Sequence, residues 1–201
     1  IYASDHPMVL ATKNNIAQVY ASEERYGEAI SLFETVIREY RENSTEDSAF
    51  LATVYDNLST AYREMERYED AIDICTEGLN IRKDIYGKRS LDYAISLNNL
   101  ALIYYEMGIL NDAADIFSEA LAIKKETLPE IHGQISIGYF NLGLVYDKLH
   151  RDNEALENYR ASMEIDNELE AYEDVLLTAE YIAEIYERND IPEDGEAYRR
   201  S

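Results

Sequence analysis

The side chains best placed to do chemistry in this sequence are four asparagines in register, Asn15, Asn57, Asn99 and Asn141, each 42 residues from the next. Asn14, Asp56 and Asn98 stand immediately before the first three, and Phe140 before the fourth. A carboxamide both donates and accepts hydrogen bonds, so a row of them can pair with the backbone of an extended peptide whatever its side chains. The same row can instead bridge neighbouring repeats. Asparagine has below-average helix propensity because its side chain competes with the backbone for hydrogen bonds, so four in register on helical segments need one of these roles. The sequence leaves both open.

Groups suited to covalent or metal chemistry do not converge. His6 and His132 are 126 residues apart, three repeat lengths, and therefore occupy equivalent connectors, which favours a turn role over metal binding. His150 neighbours a hairpin turn and reads the same way. Cys75 falls where Phe33, Phe117 and Tyr159 stand in other repeats, the place of a small buried hydrophobe and not of a nucleophile. The acidic tract EIDNELEAYED lacks the alternating oxygen ligands and central glycine of a calcium loop, and no glycine-rich phosphate loop exists. The expectation is a chain with no catalytic residues, no metal site and no cofactor.

The elements that position the asparagines follow from one interval. Tyr20, Tyr62, Tyr104 and Tyr146 are 42 residues apart, with Tyr186 40 further on. Ala29, Ala71, Ala113 and Ala155 keep the 42-residue step, and the small residues Ala17, Ser59, Ala101, Gly143 and Ala183 stand three places before each tyrosine, with the same final interval of 40. Antiparallel helices approach closely where one presents small side chains and the other a bulky one. In SLNNLALIYYEMGILNDAADIFSEALAIKKE, the apolar residues Leu97, Leu100, Ala101 and Tyr104 recur at helical spacing, as do Ala113, Ile116, Phe117, Ala120 and Leu121, with Gly108 breaking the chain between them. Each repeat therefore reads as a helix hairpin. Pro7 and Pro129 fall between hairpins, and Pro192 falls where a second helix would begin.

This pattern resembles the tetratricopeptide repeat, carried in the clearest unit by Leu97, Leu100, Ala101, Tyr104, Ala113, Phe117 and Ala120. That motif normally spans about 34 residues, and the longer period here, with LNNLALIYYEMG and IYGKRSLDYAISLNNLA, is similar to the kinesin light chain type. The sequence departs from the family pattern in having no tryptophan and in carrying Cys75 and Gly78 where an aromatic and an alanine are usual. The resemblance implies an all-α, right-handed superhelical solenoid of about four and a half repeats in one array, at residues 7–47, 48–90, 91–132, 133–172 and a partial 173–201. Ile1 and Tyr2 overlay Ile85 and Tyr86, so they read as the tail of a preceding helix, and the chain reads as a fragment of a longer array.

In such repeats the first helix of each hairpin faces a concave groove, and in the kinesin light chain type asparagines there contact cargo peptides. The resemblance carries this to Asn15, Asn57, Asn99 and Asn141, and the neighbouring Asn14 and Asn98 join them as candidate peptide-binding residues. Steps of three or four along the same face add Ala11, Gln18, Thr53, Thr60, Arg63 and Glu64 in the first two units. In the next two they add Ile95, Leu102, Tyr105, Ile137, Leu144, Asp147 and Lys148. Ile95, Leu102, Tyr105, Ile137, Phe140 and Leu144 would form an apolar patch suited to a bulky side chain of a peptide or amphipathic helix.

Charge narrows the partner. The formal net charge is −23, and residues 162–201 hold 13 acidic against 3 basic side chains. Such a field disfavours nucleic acid and anionic lipid, and no apolar run is long enough to span a membrane. With Asp56, Glu64, Glu106 and Asp147 near balance against Arg63 and Lys148 in the groove, a neutral to basic protein or peptide is the expected partner. One cysteine and the absence of a signal-like start place the expectation in the cytoplasm. The functional expectation is a non-enzymatic scaffold that binds a peptide or helix in its groove. Its alternative is a regulatory sensor that binds a signalling peptide and controls an attached effector domain.

Overall fold

The computed structural model describes residues 6–44 and 48–189. Ile1, Tyr2 and the segment from Pro192, read above as parts of further helices, lie outside them. Nine helices and no strand occur among the described residues: α1 (Pro7–Ser22), α2 (Tyr26–Asn43), α3 (Ala49–Glu64), α4 (Tyr68–Tyr86), α5 (Leu91–Glu106), α6 (Leu110–Thr127), α7 (Gly133–Lys148), α8 (Asp152–Glu168) and α9 (Tyr172–Arg188). Two compact units make up the chain, Ile1–Ile103 and Tyr104–Ser201. In the first, α1 packs on α2, α2 on α3 and α3 on α4; in the second, α6 packs on α7, α7 on α8 and α8 on α9.

The starts of the first helices are set by a ladder of caps. His6 Nδ1 accepts from the Met8 amide (3.2 Å), Ser48 Oγ from Leu51 (3.2 Å), Ser90 Oγ from Tyr93 (3.2 Å), and His132 Nδ1 from Gln134 (3.0 Å). These four positions keep the 42-residue step, and each satisfies an amide that the helix start leaves without an intrahelical partner. The two connector histidines are thus helix caps.

The tyrosine ladder sets the turns. Arg25 lies over the Tyr20 ring (4.2 Å), Arg67 over Tyr62 (4.4 Å) and Arg151 over Tyr146 (4.6 Å). Each arginine also pairs with an acid three residues on, Glu28, Asp70 or Glu154, at the start of the second helix. Between each tyrosine and the second helix the backbone enters the left-handed region at Glu24, Glu66, Gly108 and His150. This lets the Arg25, Arg67, Ile109 and Arg151 amides close back on the carbonyls of Tyr20, Tyr62, Tyr104 and Tyr146.

Close approach of α7 and α8 depends on Gly143. A Cβ there would lie 2.5 Å from the ring of Tyr159, which is fully buried with Ala155, Ile182 and Ile185. Phe140, Tyr159 and Tyr181 form a three-ring cluster with centroids 5.5 to 5.6 Å apart. In the first unit the matching pair is Ser59 and Cys75, both buried. A larger side chain on one helix is matched by a smaller one on the other, which keeps the interface filled.

Candidate functional site

Two clefts of the same construction occur, one in each unit. In the first, α1 and α3 form the walls and α2 the floor, enclosing about 320 Å³ lined by Gln18, Asn57, Thr60 and Glu64, with Tyr26 and Phe33 below. In the second, α7 and α9 are the walls and α8 the floor of a cleft of about 220 Å³, lined by Ile137, Phe140 and Leu177 over Ser162 and Asp166. Successive first helices stand apart while a second helix fills the space behind them, so a groove is the natural consequence of stacking hairpins.

The asparagines are not equivalent in their surroundings. Asn57 is half-buried, lines the first cleft and donates from Nδ2 to Oδ1 of the buried Asn14, 3.1 Å away. Asn15 is exposed, and Asn98 and Asn99 are half-buried. Asn99 lies at a small crevice with Ser59, Thr60 and Arg63. Asn141 is buried in the second unit. The bridging role is therefore realised at Asn14 and Asn57, and Asn57 also lines the cleft.

Of the apolar residues, Ile95 and Leu102 are half-buried on α5 in the first unit. In the second, Ile137 is exposed and shares its cleft with the half-buried Phe140, while Leu144 packs against the Tyr159 cluster. Tyr105 is half-buried beneath Lys148, whose ammonium lies 4.0 Å from its ring centroid.

The groove charges are largely spoken for. Arg63 pairs with Glu64, and Asp147 with Arg188 at 2.8 Å. Asp56, read from the sequence as a groove charge, is instead buried: its carboxylate meets Arg82 and the Ser96 hydroxyl, with Thr53 Oγ1 3.5 Å from the other guanidinium nitrogen. Burial pushes the Asp56 carboxyl up, and the Arg82 charge and Ser96 hydroxyl oppose it. Sequence reasoning passed over Arg82, although its register holds Lys124 and Asp166 in later repeats, all three buried and polar.

A larger cleft of about 650 Å³ lies on the other face, between α6 and α8 over α7. Among the described residues its carboxylates, Glu130, Glu164 and Glu168, are exposed, and its cation Lys125 bonds the Tyr139 hydroxyl at 2.8 Å. Exposed charges of this kind are already compensated by water and gain little from pairing with a ligand. Cys75 is buried against the Ser96 carbonyl, and burial pushes its thiol up to about 12, so it is protonated and inert. Among the described residues no cluster of His, Cys, Asp or Glu could hold a metal, and no helix is long and apolar enough to cross a membrane.

The nine helices, stacked as hairpins with caps and turns in register, define an all-α helical-repeat solenoid. Tetratricopeptide repeat family models match residues 8–84, 50–126 and 138–169. The chain belongs to the tetratricopeptide repeat family. Its fold is similar to that of BtubC (BKLC) from P. vanneervenii, with TM-score 0.83 and 19% identity over 95% of this chain and 77% of that one. It is also similar to a putative kinesin light chain from Podosopora anserina with nearly identical TPR-like repeats, with TM-score 0.81 and 18% identity over 96% and 92%. A third likeness is the Rap conjugation gene regulator of the plasmid pLS20 in complex with the Phr* peptide, with TM-score 0.71 and 17% identity over 94% of this chain and 51% of that one. No curated protein matches the sequence. The fold is that of a protein-interaction scaffold, a class that is typically non-enzymatic.

Proposed function

We propose that this chain is a non-enzymatic scaffold that binds a peptide or helical segment along the face formed by its first helices. The observation that carries the reading is the cleft between α1 and α3, where Gln18, Asn57, Thr60 and Glu64 bring amide, hydroxyl and carboxylate groups to one open surface over an aromatic floor. Amides and hydroxyls at repeat spacing can follow a peptide backbone, and the apolar cleft between α7 and α9 can hold a side chain. The net charge of −23 favours a neutral to basic partner over nucleic acid.

A sensor module is the second reading, supported by the likeness to the Rap regulator solved with its Phr* peptide, of which this chain spans 51%. Selection from a random 12-residue peptide library displayed on phage tests the first reading. A consensus whose binding falls with Asn57→Ala or Asn99→Ala supports it; no consensus, or one indifferent to the first helices, overturns it. A change in radius of gyration on adding the selected peptide, measured by small-angle scattering, would move the balance to the sensor.

A further inference from the structure

The cleft of the second unit contains a buried carboxylate for which no described residue provides a cation. Asp166, on the floor helix α8, is 5% exposed and lines the space between α7 and α9. Its Oδ2 accepts from the Ser162 hydroxyl at 3.3 Å, and Ser162 is in turn hydrogen-bonded to the Ser136 hydroxyl at 2.9 Å. Among the described residues no Lys, Arg or His forms an ion pair with it. Burial, and then the nearby charge of Asp174, raise its pKa, while the two serine hydroxyls pull it back.

The first unit treats a buried carboxylate differently. Asp56, 7% exposed, is met there by the guanidinium of Arg82. In the repeat register Asp166 lies 84 residues after Arg82, and Phe140 lies 84 after Asp56. The second unit therefore carries a carboxylate where the first has its guanidinium, and an aromatic ring where the first has its carboxylate. What the ring and carboxylate face is an open cleft of about 220 Å³. A buried carboxylate without a countercharge is costly, and a cation brought from outside removes that cost.

The walls specify what brings it. Ile137 and Leu177 are 46% and 45% exposed, and the half-buried Phe140 and the exposed Asp174 line the cleft with them. Long cationic side chains cover apolar surface with their methylenes and present charge at the tip. We propose that this cleft takes one Lys or Arg side chain of a bound peptide, its stem against Ile137, Phe140 and Leu177 and its head on Asp166, with Asp174 adding attraction from the rim. This rests on the groove reading above and adds the identity of one anchor residue. The exposed carboxylates of the larger cleft on the other face offer no comparable anchor, because water already compensates them.

The test is parallel selection from the random phage peptide library on the full chain, on Asp166→Asn and on Leu177→Ser. Leu177 is exposed enough for its replacement to leave folding intact. The wild-type pool is expected to fix Lys or Arg at one position beside an apolar residue. Replacing that residue by norleucine in a synthetic peptide is expected to weaken binding about tenfold or more, the size of one charge-assisted hydrogen bond. That loss should vanish in Asp166→Asn, and Leu177→Ser should weaken the parent peptide without changing its basic preference. A consensus with no basic position, or a basic preference that survives both Asp166→Asn and Asp174→Asn, overturns this inference and leaves the groove reading standing. No consensus at all overturns both. A dimer in sedimentation that Leu177→Ser dissociates would make a second copy of the chain the occupant and would also overturn it.

Discussion

The side-chain amide of Asn57 donates to the carbonyl oxygen of Asn14, 3.1 Å away on the helix one repeat earlier. One amide hydrogen is used in that bridge, which leaves Asn57 with a second hydrogen and its own oxygen at the cleft it lines. Bridging and peptide recognition are thus compatible in one residue. Asn14→Ala and Asn57→Ala are each expected to cost about 1 kcal/mol of stability, the net worth of one hydrogen bond, in urea unfolding. Only Asn57→Ala should also weaken a library-selected peptide; equal weakening by both would reduce the amide to a structural role.

The tight fit of Gly143 on Tyr159 makes a second expectation. Gly143→Ala places a methyl 2.5 Å from the ring and should destabilise by about 1 to 3 kcal/mol through overpacking. Tyr159→Phe should be neutral or stabilising by about 1 kcal/mol, because the buried Tyr159 hydroxyl has no hydrogen-bond partner among the described residues and Phe33 and Phe117 hold the same register without one. Thermal melts of the two variants read both signs.

Asp56 and Arg82 should behave as a unit. Removing either partner, as Asp56→Ala or Arg82→Met, leaves a buried charge unpaired and is expected to cost about 3 to 5 kcal/mol. The double variant should recover much of that loss in a double-mutant cycle. Additive losses would contradict direct coupling.

Lys124 gives a pH signature. It is 1% exposed, and burial lowers its ammonium from 10.5 to about 8. The folded chain then holds this proton less tightly than the unfolded chain, so the burden on stability is full below about 8 and is relieved as pH rises towards 10.5. Lys124→Met is expected to raise stability at pH 7 by an amount of order 1 to 3 kcal/mol, and this gain should shrink by pH 9.5. A gain independent of pH would show that packing and not charge is responsible.

The turns supply the fifth expectation. Glu66 and His150 adopt the left-handed backbone that Gly108 takes in the same register. Glu66→Gly and His150→Gly should each stabilise by up to about 1 kcal/mol in urea unfolding, since the left-handed strain on an L side chain outweighs the added freedom of the unfolded chain.

Hairpins were legible in the sequence because sterics at a helix crossing repeat with the chain: the Tyr20 series and the Ala29 series mark contacts that every hairpin must make. The Tyr20, Tyr62 and Tyr146 rings also carry arginines, and His6, Ser48, Ser90 and His132 form a cap ladder. Both are regular enough to have been read from spacing. The Asp56 to Arg82 pair and the uncompensated Asp166 were not, because identical register positions carry opposite charges in different repeats and only packing decides which group is buried beside which. Asn15, Asn57, Asn99 and Asn141 share one spacing, yet Asn15 is exposed and Asn141 buried. Burial varies along a row whose spacing does not.

The most direct measurement of the central proposal is a titration of the isotopically labelled chain with a library-selected peptide, following side-chain amide signals by NMR. The Gln18, Asn57 and Asn99 amides are expected to shift together with saturation, along with the Ile137 and Leu177 methyls. Shifts confined to the opposite face, around Tyr139, Ile165 and Lys125, would contradict it.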